Sequence, residues 1–249
     1  MIKAVVFDLD GVIVDSEREH YVTALDAFRG MGGKIERNEK SWAAFREARK
    51  FILVAEDYWP VLKAVQEENI DFSKMAPAGF AGLKRKYKNS REFVLEFYLI
   101  RKERMGSDFA KWLEMHALYE GVKETITELE RRCPVLIVTA RDSDSALKLL
   151  RHFGIGMEKE RILGREEDGG KADHLRRIAE RMKIRASEIL FIEDLVENAI
   201  MAKEIGVKAA LVEWGYGGKE QIEKAVKLGI PIIRRGNVKR QVERLMKSN

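Results

Sequence analysis

The chain opens on a short apolar run, Ile2 to Phe7, rich in β-branched residues, which predicts a strand buried on both faces. Asp8 to Asp15 follows as a loop carrying Gly11. From Ser16 to about Ala117 the apolar positions recur at helical spacing, with almost no strand signal. The expected helices cover 16–30, 39–56, 58–68, 90–104 and 107–117. Ser16 is a candidate N-cap, with Glu19 three residues on as its capping-box partner. Met75-Ala76-Pro77-Ala78-Gly79-Phe80-Ala81-Gly82 is expected to be a breaker-rich loop.

Beyond Gly121 the pattern changes. Helices at 122–131, 144–153, 171–182, 196–205, 218–228 and 237–247 alternate with strands at 135–139, 161–164, 188–192, 209–212 and 232–233. Strands alternating with helices predict a parallel sheet covered on both faces. The expected fold class is therefore α/β, a three-layer core built from residues 1–15 and 120–249, with an all-helical domain, 16–119, inserted after the first strand.

Composition sharpens this picture in a few places. The chain has 249 residues, of which 35% are charged, against a typical ~25%; this suits a soluble protein and raises the expectation of a thermophilic source. One cysteine, Cys133, rules out an internal disulfide and precedes an apolar run, so an inert thiol is expected. The N-terminus enters a strand with no leader-like segment, and no apolar run approaches the ~20 residues that cross a bilayer. A cytoplasmic protein with no membrane partner is the expectation. The net charge is +5, and the segment Arg234–Asn249, with six basic residues and one acid, accounts for all of it. A solvated terminal helix explains that better than a nucleic-acid face, so no nucleic-acid partner is expected.

The candidate chemistry lies at strand ends. Asp8 and Asp10 close the first strand, Thr139 the second, and Glu193-Asp194 follow Leu190-Phe191-Ile192. Ligands of open parallel sheets bind outside the carboxyl ends of the strands, so strand order delivers these groups to one crevice. Lys171 begins a helix on the same side, within reach of an anion. Converging carboxylates need a cation among them, and oxygen ligands suit Mg²⁺. His20, His116, His152 and His174 are scattered and form no zinc spacing. Gly169-Gly170-Lys171 lacks the first glycine and the following hydroxyl residue of a Walker loop.

Four ordered motifs, Asp8-Leu9-Asp10-Gly11-Val12, Val138-Thr139-Ala140-Arg141, Lys171 and Glu193-Asp194, with 23 residues from Lys171 to Asp194, resemble the haloacid dehalogenase superfamily. The insertion point resembles the helical-cap subgroup, similar to phosphoglycolate phosphatase and β-phosphoglucomutase-like proteins. The resemblance implies a Rossmann-like core with a cap domain, and a Mg²⁺-dependent phosphatase of small phosphorylated metabolites. It implies Asp8 as nucleophile forming an aspartyl-phosphate and Asp10 as general acid and base. Thr139, Ala140 and Lys171 would hold the phosphoryl group. Asp8, Asp10, Asp194 and Glu193 would supply the metal shell.

Two departures mark the fourth motif. Glu193 stands where glycine is common, and Asn198 where a second aspartate is common. Glu193, Glu197 and Asn198 are thus all candidates to complete the metal shell. Glu193-Asp194 and His20 favour a second reading, a sugar phosphomutase, and a third is a binding protein that kept the fold. Arg141 is expected either to touch phosphate or to pair on the surface. The aromatics Trp42, Phe45, Tyr58, Trp59, Phe93, Phe97 and Tyr98, at helical spacing, are expected to form core.

Overall fold

Full burial of β1 (Ala4–Phe7), whose side chains are at most 1% exposed, follows from its position at the centre of a parallel sheet. The computed structural model describes residues 1–68, 70–88 and 91–247, and its chain divides into two compact units, Met1–Asp15 with Ala117–Asn249, and Ser16–His116. In the first unit β1 pairs with β4 (Val135–Val138) on one side and β6 (Ile189–Glu193) on the other. Phe7 is thereby in register with both Ile137 and Ile192. β5 (Ile162–Leu163), β7 (Lys208–Val212) and β8 (Ile232–Ile233) extend the sheet to the order β5-β4-β1-β6-β7-β8, parallel throughout.

The chain builds outward from β1 through β4 to β5, then returns to the other side of β1 at β6. That reversal creates the crevice at the carboxyl ends of β1, β4 and β6. Apolar faces of α9 (Lys171–Met182) and α10 (Val196–Glu204) seal one core around Leu175, Ile178, Ala199, Phe191 and Leu211. A two-stranded antiparallel ribbon, β2 (Val14–Asp15) with β3 (Ala117–Leu118), closes the junction where the other unit is inserted. At two residues each, neither strand carries a period that sequence pattern can register. Because β3 pairs with β2, the core resumes at Ala117 and not at 120.

The helical unit contains α1 (Glu17–Gly30), α2 (Glu39–Ala48), α3 (Tyr58–Glu67), α4 (Pro77–Lys86), α5 (Arg91–Ser107) and α6 (Phe109–Leu113). Ser90, the expected start of the fourth of the helices foreseen here, lies outside the described residues. Three expectations are corrected. Of the loop expected over 75–82, only Met75 and Ala76 are loop and 77–82 are helical: Pro77 takes the first helical position, where its missing N–H costs nothing, and Phe80 and Leu83 are buried, which overrides the two glycines. The helix expected over 39–56 ends at Ala48 and gives way to short 3₁₀ turns. The helix expected over 107–117 shortens to α6 before β3.

Ser16 occupies the N-cap position of α1 but makes no capping bond with its side chain. Glu19, its expected capping partner, turns inward instead and accepts two 2.9 Å hydrogen bonds from the Arg101 guanidinium and a third from Thr23 Oγ1. Glu19 and Arg101 are both buried, so this is a charge pair inside the helical core. Phe45, Tyr58, Phe93 and Phe97 are buried around it, with Trp42, Trp59 and Tyr98 packed against them.

Candidate active site

Asp8 follows β1 directly, and its N–H donates to Ile192 O at 2.9 Å, so the backbone ladder extends one residue beyond the strand and fixes where the side chain emerges. The chain then folds back sharply. Val12, Ile13 and Val14 all donate to Leu9 O, and Gly11 N–H donates to Val14 O at 2.8 Å. Gly11 sits at φ +89°, the left-handed region that favours glycine.

Lys171, the first residue of α9, places Nζ 2.9 Å from Asp8 Oδ2 and 2.9 Å from Glu193 Oε2. All three side chains are largely buried. Burial raises the Asp8 carboxyl most, Lys171 opposes it, and Glu193 and Asp10 add to it; the balance stands at about 7. Burial also works against the charge on Lys171, but the two carboxylates outweigh it and hold the ammonium well above its usual range.

Glu193 is wholly buried, and both its oxygens are engaged. Oε2 accepts from Lys171, while Oε1 accepts from Leu195 N–H at 3.3 Å and Asn198 Nδ2 at 3.1 Å. Asn198 therefore serves Glu193. Glu197 lies apart, paired with Lys224 at 3.0 Å. Of the three candidates left open by the sequence, Glu193 alone joins the acidic cluster. One carboxylate oxygen each from Asp8, Glu193 and Asp194 lies within 4.8 Å of the others.

Asp194 is held by close backbone. Its Oδ2 accepts from Tyr216 N–H at 2.8 Å. A Cβ on Gly215 would stand 2.2 Å from Asp194 Cβ, and one on Gly11 would stand 2.2 Å from Asp194 Oδ2. The two glycines make room for this carboxylate. Asp8 Oδ1 is buried with no hydrogen-bond partner among the described residues. A buried orphan oxygen beside two further carboxylates is a hard-oxygen donor set, which fits Mg²⁺.

Thr139 follows β4, and its N–H donates to Leu163 O at 3.0 Å. Its Oγ1 accepts from Arg141 N–H at 3.1 Å. Ala140 lies between them, half-buried. Arg141 is the residue whose place the sequence left unresolved. It is not on the surface: it is 1% exposed, and its guanidinium grips Asp10. Nε lies 3.2 and 3.0 Å from the two Asp10 oxygens, and Nη2 lies 2.9 Å from Oδ1. Its position two residues beyond Thr139 was the available signal, but side-chain direction is not readable from spacing.

Cys133 is partly buried, and burial raises its thiol, consistent with an unreactive residue. No helix among the described residues is long and apolar enough to cross a membrane.

Comparison with known proteins returns the same fold. The structure of a haloacid dehalogenase-like family protein from Streptococcus pneumoniae superposes with a TM-score of 0.64 at 18% identity, covering 98% of this chain and 97% of that one. A predicted phosphoglycolate phosphatase from Haemophilus somnus gives 0.67 at 17% identity, with 98% of each chain covered. Among curated proteins, the phosphoglycolate phosphatase of Pectobacterium atrosepticum is 29% identical over 127 residues, 49% of this chain and 54% of that protein. Tyrosine-protein kinase PtkA of Mycobacterium tuberculosis is 26% identical over 119 residues, 46% of this chain and 41% of the kinase. The chain thus spans about half the length of the curated relatives it matches. The family model for haloacid dehalogenase-like hydrolases matches residues 2–206, which takes in β1, Thr139, Lys171 and the Glu193-Asp194 pair, and by that match the chain belongs to the haloacid dehalogenase-like hydrolase family.

Proposed function

We propose that the protein hydrolyses small phosphate monoesters in two steps through an aspartyl-phosphate on Asp8, with Mg²⁺ as cofactor. The observation that carries the proposal is Lys171 Nζ, 2.9 Å from both Asp8 and Glu193, beside the Asp194 carboxylate. Asp8 attacks phosphorus in line, and the ester oxygen leaves. Asp10, two residues beyond Asp8, enters in its protonated form, gives that proton to the leaving oxygen and then takes one from the attacking water. Lys171, held by Glu193, offsets the charge of Asp8 and of the phosphoryl oxygens. The Thr139 hydroxyl, whose oxygen accepts from Arg141 N–H, has its proton available for a phosphoryl oxygen, with the Ala140 backbone beside it.

Mg²⁺ would be held by Asp8, Asp194 and the Asp10 main chain, and it supplies charge neutralisation at the transferring phosphoryl group. Glu193 can reach the same ion, although its present bonds tie it first to Lys171. A phosphorylated metabolite is the proposed substrate class, in keeping with the phosphoglycolate phosphatase among the relatives. A cytoplasmic setting belongs to the same proposal.

The test is release of p-nitrophenol from p-nitrophenyl phosphate with Mg²⁺ and with chelator. Mg²⁺-dependent release that disappears in Asp8→Asn is expected. Release that survives the substitution, or that never depends on a divalent ion, would sink the proposal. Incubation with a sugar 1-phosphate distinguishes the mutase alternative, because isomerisation would then outrun phosphate release.

A further inference from the structure

We propose that Arg141 is the positioning residue of Asp10, fixing the plane and direction of the carboxylate that exchanges the proton. The inference rests on the aspartyl-phosphate reading above and adds a residue to it. Three observations carry it. Arg141 is among the largest fully buried side chains of the protein, an expensive place for a guanidinium unless it is paired. Its partner is Asp10, through three contacts of 2.9 to 3.2 Å that engage both carboxylate oxygens. The Arg141 backbone is itself tied at both ends: N–H donates to Thr139 Oγ1 at 3.1 Å, and the carbonyl accepts from Arg165 N–H at 3.1 Å. Gly164 leaves space for that carbonyl, since a Cβ there would stand 2.9 Å from it.

A planar fork sets the orientation of a carboxylate in a way that a point charge cannot. The Asp10 side chain is 13% exposed while Arg141 is 1% exposed, so the guanidinium is the more deeply buried partner and holds the carboxylate from the interior side. Proton transfer needs heavy atoms within hydrogen-bond reach, and a misplacement of about 1 Å costs about 10²-fold. Arg141 touches neither the phosphoryl group nor the leaving atom in this scheme, and acts only through Asp10.

A role of that kind has a signature that lost folding does not. Proton donation matters for an alkyl leaving group and little for p-nitrophenolate. The parameter to compare is kcat/KM, which reports steps up to departure of the leaving group. With saturating Mg²⁺, Arg141→Gln is expected to lower kcat/KM about 10²-fold on glycerol 2-phosphate and only a few-fold on p-nitrophenyl phosphate. Adding Arg141→Gln to Asp10→Asn should cost almost nothing more. Arg141→Lys, which keeps the charge without the fork, should show the same leaving-group bias and stays informative if the Gln variant does not fold. Equal losses on both esters, additive losses in the double variant, or full rescue by lysine would overturn the proposal. Wild-type protein that hydrolyses neither ester would instead overturn the phosphatase reading itself.

Discussion

Lys171 Nζ lies 2.9 Å from Asp8 Oδ2 across the carboxyl edge of the sheet, joining the first residue after β1 to the first residue of α9. The same ammonium contacts Glu193 at 2.9 Å, so one cation separates two buried carboxylates. Removing it leaves Asp8 and Glu193 facing each other without compensation. Lys171→Met should lower turnover of p-nitrophenyl phosphate by at least about 10²-fold. It should also destabilise the metal-free protein by about 3 kcal/mol in chemical denaturation. A variant with wild-type turnover would show that Lys171 is only structural.

The Asp8 carboxyl, pushed by burial to about 7, gives a signed pH dependence. An unfolded aspartate ionises near about 3.9, so between about pH 4 and about pH 7 the folded metal-free protein holds a proton that the unfolded chain has lost. Stability of the metal-free protein should therefore fall as pH rises through that window, with the whole loss present above it. Mg²⁺ favours the ionised carboxylate, so the gain in Tm on adding Mg²⁺ should be larger at about pH 8 than at about pH 5. Asp8→Asn should raise the metal-free Tm at about pH 8 and flatten the dependence. Thermal scans in chelator and in Mg²⁺ at the two pH values decide it; an equal Mg²⁺ gain at both rejects it.

Gly215 and Gly11 are the positions where the smallest side chain should do the most harm near the cluster. An added Cβ meets Asp194 at 2.2 Å in either case, and Gly11 also holds φ +89°. Gly215→Ala must displace the Asp194 carboxylate, at an overpacking cost of about 1–3 kcal/mol. The expected readout is at least a tenfold rise in the Mg²⁺ concentration for half-maximal activity, larger than the change in KM for the ester. Unaltered Mg²⁺ dependence in both glycine variants would remove Asp194 from the metal shell.

The buried Glu19–Arg101 pair of the helical unit predicts an asymmetry. Arg101→Met alone removes both guanidinium hydrogen bonds from a carboxylate that is 0% exposed and should cost about 3–5 kcal/mol. Replacing both, Glu19→Leu with Arg101→Met, should recover most of that loss, because an apolar pair of similar volume avoids the desolvation of two charges. Guanidinium denaturation of the two single variants and the double variant closes the cycle; strict additivity would show that the pair is not coupled.

The alternation of strands and helices after Gly121 was legible because the parallel strands are short, mostly buried apolar runs and the helices between them mix apolar and polar positions. Asp8, Thr139, Lys171 and Glu193-Asp194 were legible as candidates because each stands at a strand or helix end, where the backbone period stops and a polar residue has a place. α4 was hidden by Pro77, Gly79 and Gly82, whose local preference is outweighed by burial of Phe80 and Leu83. Glu19 read as a cap because capping is a local pattern, whereas its partner Arg101 lies 82 residues away. Arg141 was illegible for a related reason: its partner Asp10 is 131 residues distant, and only the assembled sheet brings the two together.

The ribbon of β2 and β3 has a consequence for how the protein is put together. Asp15 and Ala117 are paired across it, so the chain leaves the core and rejoins it at a single socket. The ends of the insertion are held by the socket, and its length enters the closure entropy only logarithmically, about 0.6 kcal/mol for each doubling. Such a joint is nearly indifferent to how many residues it carries. The helical unit is thereby an exchangeable cartridge, free to change in size and sequence while the register of β1 with β4 and β6, and the carboxylates at their ends, stays as it is.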